Sequence, residues 1–277
     1  MRFLLPLLLA ACSPSLTTMQ TARTVPAGHV QIAASVQGTP GVGMPGDVFR
    51  LAEEIDALDD ANRAPTPAQL DDFVTRAAAA LAAPPSVDAS LSLAYGVTRR
   101  FELDARIGPA GAAAGFRVQL LRRAPGIYLA LGAMAGAQYA SPDISRFTSE
   151  VAIQRSRRFD LSVPLSFGYS GRYVHVWGGP KYVFTRLSAD LDLCIDSRRG
   201  ECQDQVGVSA SGRASTIAGQ LGLAVGKGRV WIGVELTVAR AFVRGSADYD
   251  RRGRERTTDV NQSGRVFSPA IGLLSWF

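Results

Sequence analysis

The sequence predicts an all-β fold: an antiparallel, up-and-down transmembrane β-barrel of about ten strands, with a helical hairpin inserted between strands 1 and 2. Three observations carry this. From residue 87 onward, segment after segment alternates with period two, as in "VDASLSLAYGV", "FELDARI", "LSVPLSFGY" and "RVWIGVELTV", the mark of strands with two chemically different faces. Short connections ("TRR", "RAPG", "GR", "GKG") take turns with long polar stretches at about 141–159, 194–214 and 245–264, as in membrane barrels. The expected inner face is rich in Gly, Ala and Ser, whereas a soluble sandwich wants bulk there.

The first element is a targeting segment. Arg2 gives a positive start, Phe3 to Ala11 an apolar core, and small residues precede Cys12. This core falls well short of the roughly 20 apolar residues that span a bilayer. Leu9-Ala10-Ala11-Cys12 resembles the bacterial lipobox, which implies cleavage after residue 11 and lipidation of Cys12. In enteric lipoproteins Ser13 after the cysteine is compatible with delivery to the outer membrane. The expected division is therefore 1–11 lipoprotein signal peptide, 12–27 periplasmic tether and 28–277 barrel, anchored on the periplasmic side of a bacterial outer membrane.

Strands are expected at 28–37, 87–96, 101–108, 114–122, 127–139, 161–170, 173–187, 215–225, 230–243 and 266–277. An even count places both chain ends on one side, in agreement with an anchor at Cys12. The final strand, "FSPAIGLLSWF", resembles the C-terminal strand of bacterial outer-membrane barrels, with an aromatic last residue and apolar residues at alternate positions before it. Leu273 and Ile271 fit that pattern; Ser275 departs from it. That resemblance implies handling by the barrel-assembly machinery and contact with outer-membrane lipid, including lipopolysaccharide, for which the arginines of "DYDRRGRERTTD" are candidates.

One segment breaks the alternation. Val48, Leu51, Ile55 and Leu58 have helical spacing within 47–62, as do Leu70, Phe73, Val74, Ala77 and Leu81 within 67–82. Thr66 followed by Pro67 is a helix start and Pro84-Pro85 a stop. The two stripes suit packing on each other, with the hairpin (47–82) either capping the barrel or entering its lumen. Cys194 and Cys202 in an exported chain read as a small loop disulfide.

The charge of +6 comes mostly from arginine, and no dense basic block with interleaved aromatics points to nucleic acid. No metal or other cofactor is expected, since "LCIDSRRGECQDQ" contains no histidine. The two histidines, His29 and His175, give little for catalysis. Surface proteases of the omptin type are ten-stranded barrels, but no residue of their motif matches here. The residues expected to line the lumen are Asp88, Glu102, Asp104, Arg106, Arg117, His175, Trp177, Lys181, Trp231 and Glu235. A turn near 110–111 would set Asp104 across from Arg117 and Glu102 across from Gln119. With these groups filling a narrow interior, the expected role is structural or surface-interacting and not enzymatic. A narrow small-solute channel is the alternative, a surface hydrolase a more distant one, and a soluble periplasmic lipoprotein the architectural rival. Oligomeric state is not legible.

Overall fold

The computed structural model describes residues 16–277 apart from 41, 62–64, 84–85, 110, 124–125, 139–150, 199–200 and 252–253. Cys12 and the signal segment lie outside the described residues. Ten antiparallel strands form one closed ring: β1 (Val30–Thr39), β2 (Ser86–Gly96), β3 (Phe101–Ile107), β4 (Gly111–Arg123), β5 (Ile127–Gln138), β6 (Val151–Ser170), β7 (Val174–Arg198), β8 (Glu201–Lys227), β9 (Val230–Arg251) and β10 (Arg254–Trp276). The ring closes where β1 pairs with β10, from Gln31↔Trp276 to Gln37↔Ala270. Phe277 adds two backbone hydrogen bonds, donating to Val30 O at 2.9 Å and accepting from Val30 N at 3.1 Å. Within the ring every strand has a hydrogen-bonded neighbour on both sides, whereas the far parts of β6 and β10 are paired on one side only, to β7 and β9.

The start of β1 and the end of β10 lie at one end of the barrel, together with the β2–β3, β4–β5, β6–β7 and β8–β9 connections. We call this the near end. Along β9, Val230, Ile232, Val234, Leu236 and Val238 are exposed on the outer face in an unbroken apolar run, followed outward by Arg240 and Phe242. Eight residues separate Val230 from Val238, roughly 20 Å of height at a rise of about 3.3 Å and a tilt near 40°. Leu221, Leu223 and Val225 on β8 and Phe267, Ile271 and Leu273 on β10 continue the same apolar belt. An uncovered belt of this height is the outer face of a membrane-spanning barrel.

Beyond the belt the strands differ from expectation. The polar stretches read as long loops are in large part strand: β6 begins at Val151, and β7–β8 and β9–β10 run on as paired ribbons to Arg198↔Glu201 and Arg251↔Arg254. The physical reason lies in the inner face. Ala189, Leu191 and Leu193, then Val206, Val208 and Ala210, then Val243, Ala247 and Tyr249, are all buried. Period two continues along most of the extensions, with register shifts at Ile153/Arg155 and between Cys194 and Ser197, and the outward residues turn polar where lipid contact ends. The disulfide Cys194–Cys202 ties the tip of the β7–β8 ribbon, with Cα atoms 5.7 Å apart.

The insertion forms α1 (Asp47–Asp60) and α2 (Pro67–Ala80). Thr66 caps α2: its hydroxyl accepts Gln69 N–H, and the Gln69 side chain accepts Thr66 N–H in return, a capping box worth about 1 kcal/mol. The helices lie inside the far end of the ring, against the inner faces of the extended strands. Leu51, Ile55, Leu70, Phe73 and Val74 join Leu187, Leu191, Val206, Val243 and Val266 in one buried cluster. This corrects the expectation that the two stripes mainly pack on each other, because the barrel wall supplies the larger apolar surface. Arg158 fixes the end of α2, donating to the carbonyls of Leu81 and Ala82 at 3.3 and 3.1 Å while paired with Asp160 at 2.9 Å. Tyr249 donates to the Asp71 carboxylate, and burial together with that carboxylate raises the Tyr249 hydroxyl above its usual pKa.

Candidate functional site: the occupied barrel interior

Residues 16–27 do not form a tether outside the barrel. They run up its interior from the near end, and Leu16, Thr17, Thr18, Met19, Gln20, Thr21, Ala22, Thr24 and Val25 are all at most 5% exposed. This is a correction to the expected tether at 12–27. Its cause is hydrogen bonding: a buried backbone must find partners for its N–H and C=O groups, and the wall provides them.

The wall residues sort by charge against the segment's backbone. Carboxylates take its donors: Glu235 accepts Thr18 N–H at 2.8 Å and Met19 N–H at 3.0 Å, and Glu102 accepts Val25 N–H at 2.5 Å. Cations take its acceptors: Arg106 donates to Thr17 O and Thr18 O at 2.7 and 2.9 Å, Arg117 to Thr21 O at 2.7 Å, and Lys181 to Leu16 O at 3.0 Å. Gln119 does both, accepting Thr24 N–H at 2.8 Å and donating to Ala22 O at 3.1 Å. Charged partners make these bonds roughly twice as strong as neutral ones.

All ten residues expected in the lumen face the interior, each at most 9% exposed: Asp88, Glu102, Asp104, Arg106, Arg117, His175, Trp177, Lys181, Trp231 and Glu235. Their pairing differs from expectation. The register places Glu102 opposite Arg117 and Asp104 opposite Gly115, because the hairpin turns tightly at Gly108, whose N–H donates to Gly111 O at 2.9 Å. Arg117 therefore pairs with Glu102 and also reaches Asp104 at 3.8 Å. Asp104 in turn accepts from the Gln20 side chain at 2.9 Å.

Glycines on neighbouring strands make room for the large groups. A Cβ at Gly222 would stand 2.1 Å from the Trp177 ring, and one at Gly132 2.8 Å from Arg117 Cγ. Trp177 thereby reaches Glu235, donating its indole N–H at 2.9 Å. Met19 fills a notch between Gly233 and Gly272, which are cross-strand partners. Its φ of 47° is left-handed, a conformation that costs a non-glycine residue of order 1–3 kcal/mol and persists only where surroundings impose it.

His175 sits at the near end among aromatics, 4.0 Å from the Trp231 ring and 5.3 Å from Trp276. Its Nδ1 has no hydrogen-bond partner among the described residues. His29 is exposed at the start of β1, beside Ala27 O at 3.0 Å. Among the described residues no cluster of His, Cys, Asp or Glu is arranged to hold a metal ion. The segment 16–27 was missed from sequence, although "LTTMQTARTV" is polar and small enough for a narrow charged interior.

No protein-family model and no curated protein matches the chain. Among solved structures it is similar to the outer-membrane protease OmpT from Escherichia coli, at 8% identity and a TM-score of 0.48, covering 95% of this chain and 100% of that one. It is also similar to the outer membrane protein OprG from Pseudomonas aeruginosa, at 10% identity and 0.38, covering 93% and 99%. Neisserial surface protein A is similar at 8% and 0.28, covering 89% and 95%.

Proposed function

We propose that this chain is a bacterial outer-membrane barrel sealed from within, whose role is structural or surface-interacting. One observation carries the reading: residues 16–27 fill the interior and engage its charges. Glu102, Glu235, Arg106, Arg117 and Lys181, which could line a path or act on a substrate, are instead committed to the protein's own backbone. The apolar belt supports membrane insertion, and the short turns support a periplasmic near end, as in other membrane barrels. The ribbons of β7–β10 then stand outside the cell, roughly 23 Å beyond Phe242 at the same rise and tilt. A non-enzymatic role is supported by His175, which is packed on tryptophans with its Nδ1 unpartnered among the described residues.

Lipidation of Cys12 rests on its sequence motif, and the geometry constrains where such an anchor lies. Leu16 is level with Thr237, whose hydroxyl approaches Leu16 O at 3.4 Å, roughly 18 Å above the near end. The four residues from Cys12 to Leu16 span at most about 14 Å. A lipid in the periplasmic leaflet therefore requires residues 16–27 to leave the interior. The occupied interior and the periplasmic anchor are alternatives, and we adopt the occupied interior.

Single-channel recording tests the reading. The unmodified protein gives no large persistent conductance in planar bilayers, and deletion of residues 16–27 yields discrete openings. Stable large conductance from the unmodified protein contradicts it and favours the channel.

A further inference from the structure

The outer face of the barrel carries a row of like charges. Arg186 on β7, Arg213 on β8 and Arg244 on β9 are directly opposed cross-strand partners, and all three point outward and are exposed. Arg157 on β6 lines the same groove, of about 1140 Å³, together with Ser188 and Ser246. Among the described residues none of these four arginines forms an ion pair. Asp190 stands further out, opposite Arg155, and accepts from Ser209 at 2.9 Å.

Like charges directly opposite one another destabilise a sheet, and adjacent strands are only about 4.8 Å apart. Such a row is maintained at a cost unless an anion lies over it. Its height identifies the anion. Phe159 lines the groove level with its cross-strand partner Arg186, and Phe184 and Phe242 lie one outward position below the row, with the exposed pair Arg240 and Arg265 one position below Phe242. With the unbroken apolar run on β9 ending at Val238 and cations above it at Arg240 and Arg244, the row sits in the upper rim of the belt, at the level of lipid headgroups. Guanidinium forks match phosphate oxygens two at a time, and Arg186 and Arg244 stand two strand spacings apart, roughly 10 Å.

We propose that Arg157, Arg186, Arg213 and Arg244 form a binding site for a phosphorylated glycolipid of the outer leaflet, with more than one phosphate on its headgroup. The acyl chains lie along Phe159, Phe184 and Phe242, and Ser188 and Ser246 face the sugar. This rests on the membrane orientation proposed above and names the lipid that the outer face takes.

The test is native mass spectrometry of the full chain in neutral detergent, titrated with diphosphorylated lipid A. Wild-type protein retains the lipid through activation. The variant R186Q/R213Q/R244Q binds at least tenfold more weakly, and the near-end control R99Q/R100Q binds as wild type. Equal loss in the control would reduce the effect to net charge and overturn the site, as would equal binding by wild type and the triple variant. Inorganic pyrophosphate at the same concentration does not displace the lipid; equal competition would make this a soluble-phosphate site and overturn the lipid assignment. Thermal unfolding gives a second readout with opposite signs. Without lipid the triple variant melts higher than wild type, because the repulsion is gone, whereas lipid A raises the melting point of wild type alone. A triple variant that melts lower without lipid contradicts the repulsion argument. Fractionation of cells tests the membrane reading separately: a chain absent from outer membranes but binding lipid A in detergent would fail that reading and not this one.

Discussion

Glu235 accepts the backbone N–H of Met19 at 3.0 Å, across 216 residues of chain. The same carboxylate accepts Thr18 N–H and the Trp177 indole, so one side chain satisfies three buried donors. Glu235→Ala leaves all three unpaired, at about 1–3 kcal/mol each. The interior segment then loosens while the ring persists. With a cysteine introduced by Thr21→Cys as reporter, labelling by a polar maleimide should rise at least tenfold in the Glu235→Ala background. Unchanged labelling would mean that Glu235 does not hold the segment.

Trp177 depends on a missing side chain. With only 2.1 Å between a Cβ at Gly222 and the indole, Gly222→Val forces the ring off Glu235 and overpacks the wall, at about 1–3 kcal/mol or more. The heat-induced shift in gel migration should occur at a lower temperature than in wild type. Gly219, whose Cβ would meet nothing within 4 Å, is the control, and Gly219→Ala should leave the shift unchanged.

The helical insertion closes the far end through Phe73, which is 2% exposed. Phe73→Ala should cost about 3–5 kcal/mol of local stability and open the 47–80 region to protease while the barrel stays resistant in detergent. Deleting 47–82 has a larger effect than packing of the two helices on each other would imply, because it uncovers Leu187, Leu191 and Val243 on the inner wall. Equal protease resistance in wild type and Phe73→Ala would contradict this packing.

The disulfide acts locally. Its closed loop is short, with a sequence separation of 8, which corresponds to about 2–3 kcal/mol of chain entropy. Cys194→Ser/Cys202→Ser should loosen the β7–β8 tip and leave the melting of the belt region unchanged. Thiol counting on the denatured, unreduced wild-type protein should find neither cysteine reactive.

The membrane half of the fold was legible because lipid and lumen impose opposite chemistry on alternate residues, as in Val234 and Glu235. The strand extensions were present in the same alternation, in "SADLDL" and "VGVSASG". They read as loops because both water-facing residues and loop residues are polar. The lumen residues were legible one by one, since an inward charge on a membrane strand is conspicuous. Their partner was not. Nothing local in "LTTMQTARTV" encodes a strand or helix, and its conformation is imposed by side chains up to 221 residues away. The cross-strand pairing of Glu102 with Arg117 hung on a tight turn at Gly108, which moved the expected register by two residues.

The most direct test of the central claim is cross-linking between residues 17 and 37. Thr17 Oγ1 donates to the Gln37 side chain at 2.5 Å, joining the interior segment to the wall strand β1. With Thr17→Cys and Gln37→Cys introduced together, a short thiol cross-linker applied to outer membranes should join the two, seen by mass spectrometry as one linked peptide pair after digestion. Absence of that pair, with both cysteines freely labelled by a polar maleimide, would place the segment outside the barrel and contradict the account.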